Sequence, residues 1–423
     1  MNSMSSLRVL TICNRYPPDD AGGYPQLCFD VVQGVQARGH QVLVLTTAPQ
    51  KSTSNEEPGI LRVLEPDVEF GKGLPAFVQQ LGLSRRERHN QECLLQAITS
   101  SDPDIILFWP SESMTKSLFT LAENNIKRPV AYYVAGYSPL EPGALQRYWL
   151  NQARSGWKRW PKQALRRGFE RTGLIDLAQP VLQMRHVACV SRYEQQHAVA
   201  TGVSASNTTV VNNGIDLAQF RFAGLPSTRR QPGVPLRLLY AGRLTWDKGA
   251  HVALQALGHL VHEHSLEAVR LVILGKGNPR YTETLHRMVS DHGLAPWISF
   301  VEWMPRSEIA PFLADFDTLV LPTIHDEPLA RIVQEAMAIG LVVIGTPTGG
   351  TPEILIPEVT GLSFEPEDSR GLAGQIRRVH TDLGLCDTMT RSARSLVEER
   401  FTIDGTVRQM ESLMLQWVEE CKR

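Results

Sequence analysis

The sequence is poor in several features that would each point to a different kind of protein. No apolar run approaches the ~20 residues that span a bilayer, and the first apolar stretch, residues 7–13, is shorter than a secretory core. Neither charge is in excess, with 43 basic and 44 acidic residues, so nothing draws the chain as a whole to nucleic acid or an anionic membrane. The six cysteines (Cys13, Cys28, Cys93, Cys189, Cys386, Cys421) form no CxxC pair and have no histidine at ligand spacing. They read as reduced thiols, not as a zinc site or a disulfide frame. There is no low-complexity tract and no internal repeat of solenoid length. The expectation is a cytoplasmic protein with no nucleic-acid partner, no metal site and no resident cofactor.

What is present is two rounds of α/β alternation. With 423 residues, 42 % of them hydrophobic, the chain exceeds one ordinary core and suits two domains of roughly 200 residues. Apolar strand-like runs at 7–13, 41–46, 105–109, 130–134, 186–190 and 209–211 are separated by helical patterns, the signature of parallel layers. A second series runs 236–241, 270–274, 298–301, 318–321 and 341–344. Residues 221–235, rich in proline and glycine, read as the linker, and an amphipathic helix follows Phe401. The expected domains are 1–225, 226–400 and a terminal helix 401–423. Ligands of such folds bind beyond the carboxyl ends of the strands.

The most informative stretch is Pro322-Thr-Ile-His-Asp-Glu327-Pro328-Leu329-Ala330-Arg-Ile-Val-Gln-Glu335. A buried strand, 319–321, feeds directly into a helix, with Pro328 expected as its first residue and Asp326 or Glu327 near the cap. The amides of Leu329 and Ala330 would then open the helix, where its dipole favours an anion. Glu335, about two turns on, lies among Ile332, Val333, Ala336 and Met337. A carboxylate there wants a specific partner such as ribose hydroxyls, the alternative being an exposed pair with Arg331. One carboxylate at a reacting end, an anion at the helix start and a second carboxylate deeper in outline a nucleotide-sugar site.

Two cations complete that outline. Gly242-Arg243…Lys248-Gly249 closes the first strand of the second series, and fixed charges there could neutralise a diphosphate and the charge it gathers on leaving. The alternative is a solvated surface loop, which placement on a strand end of the same domain argues against. Gly22-Gly23, between the first strand and its helix, would let a backbone approach a phosphate closely. Gly275-Lys276-Gly277 would do the same for a nucleotide. Both also fit simple tight turns.

Taken together, Gly22-Gly23, Asn213-Gly214-Ile215-Asp216, Gly242-Arg243…Lys248-Gly249, Glu327…Glu335 and Gly349-Gly350-Thr-Pro-Glu353 resemble the retaining GT-B glycosyltransferases of family GT4, over residues 7–361. The resemblance implies an α/β fold of two facing Rossmann-like domains with parallel sheets and an interdomain cleft. It implies a nucleoside-diphosphate sugar donor, UDP- or GDP-linked, and no obligatory metal. Arg243 and Lys248 would hold the diphosphate, Glu335 the ribose and Glu327 the donor sugar. Gly23 would cover the diphosphate, and the base would lie against backbone near Met304. The terminal helix would return to the N-terminal domain.

The chain departs from that pattern in its first half. After the strand at 130–134 it has Ala135-Gly136-Tyr137-Ser138, where such enzymes place histidine or aspartate, and Trp109 stands where a histidine is frequent. Tyr137, Ser138 and Glu141 are the candidate acceptor-side replacements. Ala330 replaces a usual glycine, which a helix N-terminus tolerates. Residues 147–171 carry eight basic residues, one acid and Trp149, Trp157 and Trp160, with Pro161 interrupting the pattern. Such a stretch would suit peripheral membrane contact, as it would a solvated helix with its tryptophans inward. The reading is transfer of a sugar to a hydroxyl acceptor; the alternatives are a non-catalytic nucleotide-sugar-binding scaffold and a sugar-nucleotide epimerase.

Overall fold

The computed structural model describes residues 6–18, 22–48, 57–66, 83–142, 149, 156–171, 181–302 and 304–423. The chain forms two compact units, one of Met1–Val190, Glu194–Val211 and Val407–Arg423, the other of Ser191–Tyr193 and Asn212–Thr406.

The first unit is built on seven parallel strands: β1 Arg8–Cys13, β2 Gln41–Thr47, β3 Ile60–Leu64, β4 Ile105–Trp109, β5 Val130–Val134, β6 His186–Cys189 and β7 Thr208–Val210. Their order is β3-β2-β1-β4-β5-β6-β7. β4 and β5 are buried along their whole length, as a sheet covered on both faces demands, and one face packs Leu10, Ile12, Leu45, Ile106, Phe108 and Tyr132 with Phe119. β3 has no counterpart in the sequence reading. It is an edge strand whose Leu61 and Val63 are exposed, so it lacks the continuous apolar run by which its neighbours are recognised.

The terminal helix, Ile403–Lys422, contributes Val407 onward to this unit. A Cβ at Gly34 would sit 2.4 Å from Val407 Cγ2, so glycine there permits the close approach. Glu411, buried in the same contact, accepts from His40 Nε2 at 2.9 Å and Arg38 Nε at 2.5 Å.

The second unit has six parallel strands, β8 Leu236–Ala241, β9 Val269–Leu274, β10 Ile298–Val301, β11 Thr318–Leu321, β12 Val342–Gly345 and β13 Leu362–Ser363, in the order β10-β9-β8-β11-β12-β13. In both sheets the strand order reverses beside the first strand, at β1/β4 and at β8/β11. Those two switch points are where a doubly wound sheet opens a crevice for a ligand. The 221–235 segment is held to the second unit and does not run free as a linker. Ala223 N–H donates to Ile339 O at 2.8 Å, a short helix Pro226–Arg229 forms, and the Arg229 guanidinium caps the carbonyls of Ala314 and Phe316 at 2.6 and 2.7 Å.

Within 147–171, residues 147, 148 and 150–155 and the side chains of Trp157 and Trp160 lie outside the described residues. The helix Gly156–Arg171 runs through Pro161 without a break, contrary to the interruption expected there. Trp149 is buried, edge-on to Phe169 at 5.8 Å.

Candidate functional site

β8 and β11 are direct neighbours, Leu238 opposite Thr318 and Leu239 opposite Leu319, so the loops leaving their carboxyl ends lie side by side. They interlock. A Cβ on Gly249 would lie 1.8 Å from the Pro322 carbonyl oxygen, and Gly249 has φ +69°, so only glycine closes the loop against that carbonyl. Ile324 N–H donates to Asp247 O at 2.8 Å. The interlock delivers the Lys248 ammonium onto Glu327 Oε1, an oxygen that also accepts the Thr323 hydroxyl at 3.1 Å. Both charged side chains are largely withdrawn from solvent, Lys248 retaining 18 % exposure and Glu327 13 %. Arg243 is fixed at its backbone, where Tyr240 Oη donates to its carbonyl at 2.9 Å. Its guanidinium is exposed and makes no hydrogen bond or ion pair among the described residues.

The loop carrying Glu327 is braced from three sides. Gly350 N–H donates to Glu327 O at 2.6 Å and Gly349 N–H to Asp326 Oδ1 at 3.0 Å. Asp326 Oδ2 accepts Tyr193 Oη at 2.8 Å, and Tyr193 N–H donates to Glu353 Oε1 at 2.9 Å. The Gly349-Gly350-Thr-Pro-Glu353 motif is thus a buttress. A Cβ on Gly350 would meet the Pro328 carbonyl oxygen at 2.0 Å.

The helix that follows starts later than expected. It spans Arg331–Ile339 with Ala330 at its cap, so Pro328 is not its first residue, and Pro328 and Leu329 belong to the loop. The cause is a competing bond. Asn213 Nδ2 donates to the Leu329 carbonyl at 3.2 Å, while Val333 N–H turns to Ala330 O at 3.1 Å. Fully buried Gln334 holds Asn213 in place, donating to its carbonyl at 3.0 Å and to its Oδ1 at 2.9 Å. Glu335, 3 % exposed, is paired. Arg306 Nη2 lies 2.6 Å from its Oε1, and Arg331 Nε is 3.9 Å from the same oxygen. Met304, half-buried, follows β10 two positions before Arg306.

Glycines of the neighbouring turn have a packing role. A Cβ on Gly275 would lie 1.9 Å from Gly242 O, and one on Gly277 2.3 Å from Leu244 O. Gly242 itself has room, its nearest neighbour being the Tyr240 hydroxyl at 3.4 Å.

In the first unit, Gly22 caps the helix Gly23–Ala37 with φ +74° and no side chain bonded to the cap. Trp109 is buried, stacked on Tyr133 at 4.5 Å. Of the acceptor-side candidates, Tyr137 is buried and Ser138 fully so, its hydroxyl accepting from Thr201 Oγ1 at 3.2 Å. Glu141 keeps 20 % exposure and accepts the Ser138 N–H at 3.0 Å. The helix Arg192–Ala200 adds two ionisable groups that sequence reasoning missed. His197 Nδ1 lies 3.8 Å from Glu141 and 3.5 Å from Glu194. Burial pushes the Glu194 carboxyl up, against the opposing pull of His197.

The described residues thus unite Lys248, Glu327, Pro328 and Leu329 around one switch point, with Arg243 on the same loop as Lys248. Thr323, Asp326, Asn213, Gln334 and Arg306 were not among the predicted site residues. Asn213 stood in a quoted motif, and Thr323, Asp326 and Gln334 within the quoted 322–335 stretch, but none was given a site role; Arg306 carries no local signal.

The family model for glycosyltransferase family 4 matches residues 21–219, and that for glycosyl transferases group 1 matches residues 228–396, so together they take in nearly the whole chain. The protein is a group 1, GT4-type glycosyltransferase. Among its relatives, glycogen synthase of Mycobacterium tuberculosis is 26 % identical over 408 residues, 93 % of this chain and 91 % of that one. Among solved structures, sucrose-phosphate synthase of Thermosynechococcus elongatus superposes with TM-score 0.71 at 18 % identity, covering 97 % of this chain and 98 % of the other. HepE of Anabaena, solved in complex with UDP and glucose, does so with TM-score 0.67 at 20 % identity, covering 96 % and 98 %. The fold of this glycosyltransferase is GT-B, two Rossmann-like parallel-sheet units. Among the described residues no helix is long and apolar enough to cross a membrane.

Proposed function

We infer that this glycosyltransferase moves a hexosyl group from a UDP- or GDP-sugar to a hydroxyl acceptor, retaining the anomeric configuration and needing no metal ion. The observation that carries the reading is the Lys248–Glu327 pair at the β8/β11 switch point, with the uncommitted Arg243 guanidinium on the same loop. A sugar diphosphate placed there meets two cations at the phosphates and a carboxylate at the sugar. As the glycosidic bond breaks, the departing diphosphate gathers negative charge, which Arg243 and Lys248 offset, while Glu327 orients the sugar. Lys248 and Glu327 are in contact, so a donor whose diphosphate reached the ammonium would bring its sugar close to the carboxylate. A GT-B neighbour solved with UDP and glucose and a relative named for glycogen synthesis support a nucleotide-sugar donor and a glycan-type acceptor.

The test is a thermal-shift screen of NDP-sugars, followed by transfer assays on an acceptor panel and NMR of the product anomer. Arg243→Ala should abolish transfer with the fold intact, and EDTA should leave the rate unchanged; full activity in Arg243→Ala would remove the diphosphate assignment. Donor binding without turnover on any acceptor would favour a scaffold. Consumption of donor with no acceptor present would favour an epimerase.

The acceptor side includes a membrane component in this reading. Helix Gly156–Arg171 exposes Leu165, at 55 %, alongside Arg167 and Arg171, a mixture suited to an anionic lipid surface. Salt-sensitive binding to anionic vesicles, lost in Arg167→Glu/Arg171→Glu, is the expected result.

A further inference from the structure

The donor-site reading leaves one charged group unused. Arg306 opens the helix Arg306–Ala314, far in sequence from Glu335, yet its Nη2 lies 2.6 Å from Glu335 Oε1. Its guanidinium is laid over the ring of Phe220, 4.9 Å from the centroid, and Phe220 is fully buried. Gln219 Nε2 donates to the Arg306 carbonyl at 3.3 Å, tying the backbone of the same residue. Arg306 is thus held at its side chain and at its backbone by the short segment that begins at Asn213, and that segment also anchors the Glu327 loop through Leu329. Glu335 projects from a buried helix. Both cations near it, Arg306 and Arg331, come closest to it at Oε1, and Oε2 makes no hydrogen bond among the described residues.

We propose that Arg306 is a positioning residue for nucleotide recognition: by holding Oε1 of Glu335 it presents Oε2 to the vicinal hydroxyls of a ribose. A carboxylate oxygen accepts two hydroxyl donors well only if the group cannot rotate. The Arg306 contact holds Oε1, and the Phe220 ring under the guanidinium limits how far that contact can swing. The inference rests on the donor-site reading, in which Glu335 faces the ribose, and adds that its selectivity depends on a residue outside the Glu327…Glu335 motif.

The experiment measures affinity by calorimetry for whichever of UDP, GDP and ADP gives the largest thermal shift, for its 2′- and 3′-deoxy forms, and for inorganic pyrophosphate. The wild type should prefer the ribonucleotide by about tenfold or more over at least one deoxy form, the scale of a hydrogen bond to a charged group. Arg306→Gln should reduce that preference to about twofold with pyrophosphate affinity unchanged, Arg306→Lys should restore part of it, and Glu335→Gln should abolish it. Preference lost in Glu335→Gln but kept in Arg306→Gln overturns the role of Arg306 and leaves the donor site standing. Preference kept in both, or no binding of any of the three nucleotides, overturns the donor reading and this inference with it. Loss of pyrophosphate binding in Arg306→Gln would show a general structural role, and would also overturn it.

Discussion

The Lys248–Glu327 contact is a largely desolvated ion pair, and its contribution can be isolated by a double-mutant cycle. Lys248→Met removes the ammonium and leaves the Glu327 carboxylate, 13 % exposed, with only the Thr323 hydroxyl on that oxygen. A fully buried pair broken in this way costs about 3–5 kcal/mol, and an exposed one about 0–1. The intermediate burial of this pair places the single variant near 2 kcal/mol, or roughly 4–8 °C in Tm for a unit of this size. Glu327→Gln keeps an oxygen for Thr323 and should cost less, about 1 kcal/mol. In Lys248→Met/Glu327→Gln only the more exposed Asp247, 3.9 Å from the ammonium in the wild type, loses a counter-charge, so the double variant should lose less than the sum, with a coupling of about 1–2 kcal/mol. Urea unfolding of the four ligand-free proteins measures it. Saturating pyrophosphate should shrink the coupling, because the ammonium then has a second anion to serve. A ligand-free coupling below about 0.3 kcal/mol would refute the argument that the pair is formed and desolvated. A coupling that pyrophosphate leaves unchanged would refute the view that Lys248 reaches the diphosphate.

Four further outcomes follow from the geometry. Gly249→Ala must push a methyl into the Pro322 carbonyl at 1.8 Å with φ at +69° and should lose several kcal/mol, about 3 or more. Gly242→Ala meets nothing closer than 3.4 Å and should unfold at the wild-type temperature while raising the donor KM; both are read by calorimetry and initial rates. Asn213→Ala frees the Leu329 carbonyl and removes one of the two acceptors of buried Gln334, the Asn213 backbone carbonyl remaining. It should cost about 1–3 kcal/mol and lower kcat more than stability alone explains, since Glu327 loses a brace. Burial pushes the Glu411 carboxyl up, but hydrogen bonds from His40 and Arg38 outweigh it and hold the group below the ordinary carboxylate range. Its contribution is therefore complete above the unfolded carboxylate value and lost as pH falls through the lower folded one. The Tm gap between wild type and Glu411→Gln should stay constant near neutrality and close below about pH 4.

The strands of both sheets were legible because a parallel sheet covered on two faces needs largely apolar runs; β4 and β5 are such runs throughout, and β1, β8, β9 and β11 are broken by no more than one or two polar residues each. β3 and β13 were not. The first is an edge strand with alternate residues exposed, and the second has only Leu362 and Ser363, too short to show any period. The 221–235 segment looked like a linker by composition. Composition does not record that Arg229 would find two open carbonyls at the end of a neighbouring helix.

The site divides in the same way. Gly249 and the Gly349-Gly350 pair stood in the motifs that carry the family resemblance, but the demands they answer, a positive φ at Gly249 and close contact with the Glu327 loop at Gly349-Gly350, are visible only in the structure. Lys248 and Glu327 could be named because each sits just past the end of a recognisable strand. The start of the following helix could not be placed, because it is set by Asn213, a side chain more than a hundred positions earlier, which takes the carbonyl that local rules would give to the helix. Glu335 shows the limit most sharply. A carboxylate among Val333, Ala336 and Met337 must have a partner, and periodicity alone shows that one is required. Which partner it is depends on how the Asn213–Phe220 segment folds over the second sheet, bringing Arg306 and Phe220 to one point. The demand was local and readable; the residue that meets it is supplied by topology.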